Sequence, residues 1–394
     1  MTAITLNGLS WGHRRATAPL RALSAAFTRR HPGIDIRWTD RTLEDFEAQG
    51  IAETARRFDL VVCDHPFCGD IVASGAFLPL EDLLPEPLSP AAAARYVGPS
   101  LASYRFAGHV WAAPVDGATQ NAIWRADLLQ GLGAAAPASF AEALALGRKA
   151  RSRGLYLGFA ARSPHTLLSI ASIMANRGQA WSAPEQGPLT IDMDSFFAAL
   201  QDLRELAAYC PPEIHEWNSI DLHEAMTQRD DIVYSPCVFG YATYGEADQR
   251  RRLSFGPFAG PQAPYAAGNT IGGAGIALSA HCQTPDAARA FLQHVLDPVQ
   301  QARQVAAAHG QPAMLDAWRD PAVDVAFHGY FSGVGASLDL AWTRPRLRGY
   351  PRFQDEAGEL AAQLLRGDID DGQGRERLER LIAELNGNDR EGTS

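Results

Sequence analysis

The chain predicts an α/β protein made of two lobes, and three observations carry that expectation. Its 394 residues exceed one ordinary domain and suit two units of about 150–200 residues each. Residues 3–80 alternate short apolar runs with helical patterns, which implies a parallel sheet with helices on both faces. Far along the chain, a Pro/Gly-rich crossover (253–261) leads into a glycine-opened apolar strand (269–279) and a helix (284–296) with Thr284 at its cap and Pro285 in its first turn.

The elements follow in order. Residues 3–9 form a short apolar run. Residues 17–30 place Leu20, Leu23 and Phe27 on one helical face, and His31, Pro32 and Gly33 end it. Ile34, Ile36 and Trp38 then alternate as a strand, Leu43, Phe46 and Ile51 mark a second helix, and residues 58–63 read as a fully buried strand. In the second half, helices are expected at 139–151 and at 194–209, the latter with Phe197, Leu200, Leu203 and Leu206 in register. Pro211 and Pro212 break that helix. Asn218 or Ser219 caps the next, which runs to Met226, and a strand follows at 231–235. Helices at 353–366 and 375–385 finish the chain.

Composition narrows the function. A formal net charge of −10 argues against nucleic acid or an anionic membrane as partner. No apolar run approaches the roughly 18 residues of a membrane span. Lys149 is the only lysine and sits in a solvated helix end, so Schiff-base or phosphate-loop chemistry is not expected. Cys63, Cys68, Cys210, Cys237 and Cys282 show neither zinc-site spacing nor a disulfide framework, and free thiols suit a reducing compartment. The N-terminus lacks the charged region, apolar core and cleavage site of a secretory leader. Cytoplasm is therefore the expected compartment, or the periplasm if Met1 replaces a removed leader.

Taken together, the segments at 110–117, 253–261, 269–279, 284–296, 309–312 and 341–346 resemble, in order, an ABC-transporter extracellular solute-binding protein of the maltose-binding kind. The likeness covers nearly the whole chain and rests on dispersed patterns. It implies a bilobal periplasmic-binding-protein-like fold of type II, its two parallel or mixed-sheet lobes joined by a multi-strand hinge. Lobe 1 would hold 1–113 plus 254–312, and lobe 2 would hold 114–253 plus 313–394, with the C-terminal helices packed on lobe 2. Crossings at 110–117, 253–261 and 309–312 would bend as the lobes close on a small polar ligand, sugar-like or carboxylated. A monomer without cofactor or metal is expected, with an ABC permease as partner if the chain is exported.

Site candidates come from the rule that ligands gather beyond the carboxyl ends of parallel strands. Trp11 and His13 follow the first strand; Asp64, His65 and Phe67 follow the buried one. Asp and His can fix hydroxyls while Phe67 supplies an apolar wall, although Asp64 could instead simply cap the next turn. Asp116 and Gln120 lie just past the first crossing. Trp217, beside Glu216 and Asn218, offers a ring and polar groups for a polyhydroxylated ligand, and Tyr241 can join the same cleft. His215 and His223 are not spaced as a helical zinc pair. Gly272 and Gly273 do not form a dinucleotide fingerprint; close backbone approach to a ligand is the better account. Trp342 and Arg344 resemble the family's aromatic and arginine along the cleft.

An enzyme on the same fold is the alternative, with Asp64, His65, His13 and Glu216 as acid–base groups. Thiaminase-like enzymes use a cysteine nucleophile on this architecture, and Cys68 or Cys237 beside His13 or His65 would be the counterpart. A ligand sensor that contacts another protein is a third reading.

Overall fold

The computed structural model describes residues 4–43, 50–185, 187–261 and 268–391. Strands β1 (Ile4–Trp11), β2 (Ile34–Arg41) and β3 (Leu60–Cys63) run parallel in the order β2-β1-β3. The connecting helix Arg14–Arg30 buries Leu20, Leu23 and Phe27, as their spacing predicts. It starts ahead of the expected residue 17 because His13 caps it, its Nδ1 accepting the Arg15 backbone N–H at 3.0 Å. Of the expected second helix, Ile51–Arg57 is helical; Phe46 lies outside the described residues.

A small hairpin of β4 (Arg105–Phe106) and β5 (His109–Val110) precedes the longest strand, β6 (Ala113–Trp124). Beyond it come β7 (Tyr156–Leu157), β8 (Ile232–Phe239), β9 (Ser254–Gly256) and β10 (Ile271–Leu278). β6 belongs to both lobes. Residues 113–119 pair antiparallel with β10, whereas its later residues pair with β8 and β9. One hydrogen-bonded path, β2-β1-β3-β10-β6-β8-β7, thus crosses the molecule, bending at irregularities after Asn121 and Ala274. The 309–312 segment lies alongside: the Gly117 N–H donates to the Gln311 carbonyl at 2.8 Å, and Asp116 bridges to Pro312.

Each lobe has its own core. Leu6, Phe27, Val62, Ile276, Phe291 and Met314 pack in the first. Phe159, Ile170, Phe196, Val233, Tyr350 and Leu364 pack in the second, and Leu222, Tyr244, Phe255, Tyr330 and Phe331 adjoin it. Phe255, Phe258 and Ala259 still sit among second-lobe residues, and β10 brings the chain back to the first core. The helix Ser219–Gln228 has a full capping box, in which Asn218 accepts from Asp221 N–H and the Asp221 carboxylate accepts from Asn218 N–H. The helix His165–Asn176 has no counterpart in the sequence reading. It is buried on nearly all sides, so its apolar residues show no amphipathic period. Tyr350–Arg366 and Asp371–Glu391 extend the two expected C-terminal helices. Among the described residues no helix is long and apolar enough to cross a membrane.

Candidate functional site

A cavity of about 60 Å³ lies where the lobes meet. Trp11 and Asp64 reach it from the carboxyl ends of β1 and β3, and Asp116, Gly272 and Gly273 reach it from the strands that join the lobes. Tyr241 and Arg344 face it from the second lobe. These seven positions are among those singled out from sequence. Arg15, His165, Ser219 and Phe239 also line the cavity and were not.

Local structure aims each group. Asp64 ends a fully buried strand and caps the turn His65–Phe67, its Oδ1 accepting the His65 backbone N–H at 2.8 Å. Its Oδ2 accepts from Nη2 of Arg344, a residue of the second lobe. One carboxylate thus caps the turn with one oxygen and pairs with Arg344 through the other. Arg344 is held by Nη1 donating to Gln354 Oε1 at 3.0 Å, and its chain segment is tied to β10 through the Ile271 N–H and the Trp342 carbonyl at 2.9 Å. The Arg344 Nε is buried and has no hydrogen-bond acceptor among the described residues.

A second ion pair sits deeper. Arg15 Nε donates to Asp116 Oδ1 at 2.8 Å, Nη2 donates to Oδ2, and Nη1 donates to the Gly240 carbonyl at 3.1 Å. The guanidinium also lies 4.6 Å over the Tyr241 ring. This fork joins a first-lobe helix, the shared strand and the second lobe. The glycines permit close approach: Gly273 has φ +95°, and a Cβ there would lie 2.3 Å from the Asp116 carbonyl oxygen. A Cβ on Gly272 would lie 2.9 Å from the Phe239 ring.

The electrostatics are paired and neutral. Burial would raise the Asp64 carboxyl, but Arg344 and His65 outweigh it and hold it well below the usual carboxylate range. Burial pushes the Asp116 carboxyl up, with Arg15 opposing. Burial likewise would lower the Arg15 guanidinium, yet Asp116 holds it above its ordinary value. Burial lowers His165 to about 3, so its ring is uncharged at neutral pH.

Seven sequence candidates lie elsewhere. His13 opens a neighbouring hollow with Asp40 and Ile220, its ring 4.8 Å from Tyr241. His65 is fully buried beneath Asp64, with Nδ1 2.9 Å from Asp64 Oδ1, because its turn directs the ring into the first core's edge beside Tyr104. Phe67 lines a separate groove with Asp70 and Pro351. Gln120 is buried within the shared strand, where it accepts from Ser172 Oγ and, at 3.2 Å, from Cys237 Sγ. Trp217 packs on the second lobe's hydrophobic clusters, with Arg229 5.7 Å over its ring. Glu216 is exposed at the end of the turn whose Ile214 takes the buried position. Trp342 stands edge-on to Trp181 at 5.9 Å. Hydrophobic contact on the lobe's own core, invisible in local sequence, draws both tryptophans away from the cavity. Among the described residues no group of three or more His, Cys, Asp or Glu could hold a metal ion.

Comparison with known proteins accords with this architecture. The sequence pattern of the family described as bacterial extracellular solute-binding protein matches residues 22–326. No curated protein matches the chain. Among solved structures, maltose-bound MalE3 of T. maritima has a TM-score of 0.81 at 16% identity, covering 97% of this chain and 99% of its own. An ABC-transporter solute-binding protein from Agrobacterium radiobacter K84 in complex with ribitol has a TM-score of 0.78 at 18% identity, covering 98% of each chain. UgpB from Mycobacterium tuberculosis in complex with glycerophosphocholine has a TM-score of 0.76 at 18% identity, covering 97% of this chain and 98% of its own. At such identities the likeness speaks for the bilobal fold, and the family match over residues 22–326 decides membership: this chain belongs to the bacterial extracellular solute-binding proteins.

Proposed function

We propose that the lobes close on a small polar organic ligand, and that this ligand is uncharged and polyhydroxylated. The observation that carries the reading is the charge balance of the cavity. Arg344 faces Asp64 and Arg15 faces Asp116, while burial keeps His165 neutral. An anionic ligand would lie against two desolvated carboxylates that already occupy the arginines. Hydroxyls suit the same wall, since each can donate to a carboxylate and accept from a guanidinium. The Arg344 Nε is a buried donor for one such oxygen. Trp11, Phe239 and Tyr241 supply ring faces for the C–H side of a sugar or polyol.

A cysteine nucleophile is not favoured by the geometry. All five cysteines are buried, and burial pushes Cys237 up to about 12 and Cys68 well above its ordinary value. If the chain is exported, the loaded form's partner is an ABC permease; cell fractionation tells whether it is.

The test is a thermal-shift and calorimetric panel of alditols, hexoses, disaccharides and the matching hexuronates. A neutral member at one hundred times its Kd should add about 2.7 kcal/mol of stability. Tighter binding of a hexuronate than of its hexose overturns the uncharged ligand, and a panel without any shift overturns the polyhydroxylated class.

A further inference from the structure

We propose that the outer edge of β2 docks an extended, acidic segment of another protein, which adds to the sheet as a further strand. β2 ends the hydrogen-bonded path, and among the described residues no strand lies on its outer side. The Ile4 N–H donates to the Gly33 carbonyl and the Gly12 N–H to the Arg41 carbonyl, with an unbroken register between them. Odd-numbered residues of β2 therefore face β1. Ile36, Trp38 and Asp40 turn their N–H and C=O groups the other way, where those groups have no partner among the described residues.

This edge is held in place. Trp38 Nε1 donates to Ser24 Oγ at 2.9 Å, Thr28 Oγ1 donates to the Ile34 carbonyl at 3.0 Å, and Arg21 Nη2 donates to Asp40 Oδ2 at 2.7 Å. Those contacts lay the helix Arg14–Arg30 antiparallel along β2. A groove of about 730 Å³ runs between the two, and Ile36 and Trp38 line it. An added strand fills that groove, with its main chain on the β2 edge and alternate side chains against the helix.

Charge selects the occupant. In a chain of net charge −10, the groove is lined by Arg21, Arg29 and Arg37 against a single carboxylate, Asp35. Arg29 has no ion-pair partner among the described residues. The pairs Arg21–Asp40 and Arg37–Asp35 are exposed, so they hold weakly and exchange for a better acceptor. Arg21, Ala25 and Arg29 recur every four residues on one helical face, and the small Ala25 leaves room between the arginines. Arg21 and Arg29 are separated by a helical rise of about 12 Å. Carboxylates four residues apart on a strand share a face and stand about 13 Å apart, so they reach both. A second copy of this chain fits poorly, because β2 pairing with itself would set arginine against arginine. The inference does not involve the cavity and stands apart from the identity of its ligand.

Wild-type protein and short synthetic peptides test it, by fluorescence anisotropy and amide hydrogen exchange. A threonine- and valine-rich peptide with glutamates four residues apart should bind, and exchange at Ile36, Trp38 and Asp40 should slow in the complex. Setting the glutamates three apart puts them on opposite faces and should weaken binding about tenfold or more. Glutamine in place of both, or N-methylation of alternate amides, should do the same. Arg29→Gln, at an exposed position, should remove most of the advantage of the glutamate peptide over the glutamine one. Equal binding at either spacing, or after N-methylation, overturns strand addition. Equal binding of glutamate and glutamine peptides overturns the acidic partner, and no binding by any peptide overturns the docking site. Slowed exchange at the same three amides on raising the protein concentration alone would assign the edge to a second copy and overturn the proposal too.

Discussion

Asp64 and Arg344 stand 280 residues apart in the chain and meet across the cavity, one from each lobe, as a buried ion pair. Only 4% of the Arg344 side chain and 14% of the Asp64 side chain are accessible. Removing either partner strands the other charge in a desolvated wall. Asp64→Asn and Arg344→Met should each lower the free energy of unfolding by roughly 3 kcal/mol in urea titrations. The double variant should lose less than the sum of the two. Strict additivity would show that the charges do not communicate.

Trp11 and Trp217 separate in the same experiment. Trp11 lies on the cavity wall, whereas Trp217 packs on the second lobe beneath Arg229. Trp11→Ala should weaken the best ligand of the panel by about tenfold or more, the equivalent of ~1.4 kcal/mol. Trp217→Ala should leave Kd unchanged while lowering Tm. Equal losses of affinity from both would relocate the site.

Low pH should destabilise the fold through its buried histidines. Burial lowers His13 and His165 to about 3, and His65 and His223 to about 4, from an ordinary 6.5. Because the folded values are depressed, the unfolded chain takes up these protons first. Stability is therefore intact above about 6.5 and is lost as pH falls toward 4 and then 3. Asp64, also depressed, adds a further loss only at still lower pH. Tm should fall steadily between pH 7 and 4. His223→Asn, which keeps a donor for the Ser219 carbonyl, should flatten that slope; a wild-type Tm level across the range excludes the mechanism.

Gly273 should be the less replaceable of the paired glycines. Its φ of +95° and the Asp116 carbonyl, 2.3 Å from where a Cβ would stand, both exclude a side chain. Gly273→Ala should cost at least ~2 kcal/mol. Gly272→Ala meets the Phe239 ring instead, and a ring can rotate aside. Its cost should be smaller, and its effect should fall on ligand affinity. Calorimetry and urea melts on the two variants distinguish these outcomes.

Local sequence carried the strands, the helices and the strand ends. The period of Leu20, Leu23 and Phe27, the alternation of Ile34, Ile36 and Trp38, and the residues just past β1 and β3 all appear where short-range chemistry puts them. Trp11, Asp64, Asp116 and Arg344 were legible because strand ends and crossings face the space between lobes. Arg15 was not legible: inside an amphipathic helix it reads as a solvated charge, and only the shared strand supplies Asp116 to bury it against. His165 and Phe239 were hidden for a related reason, since a helix buried on nearly all sides and a strand buried up to its last residue give no period to mark the inward face. Trp217 and Trp342 show the converse, polar neighbours in sequence but a hydrophobic core in space. Side-chain type and periodicity are properties of a few consecutive residues, so the chain alone determined its elements and its two-lobed class. Which charges meet, and which rings turn inward, depends on groups hundreds of residues away, and only the folded arrangement of both lobes decided it.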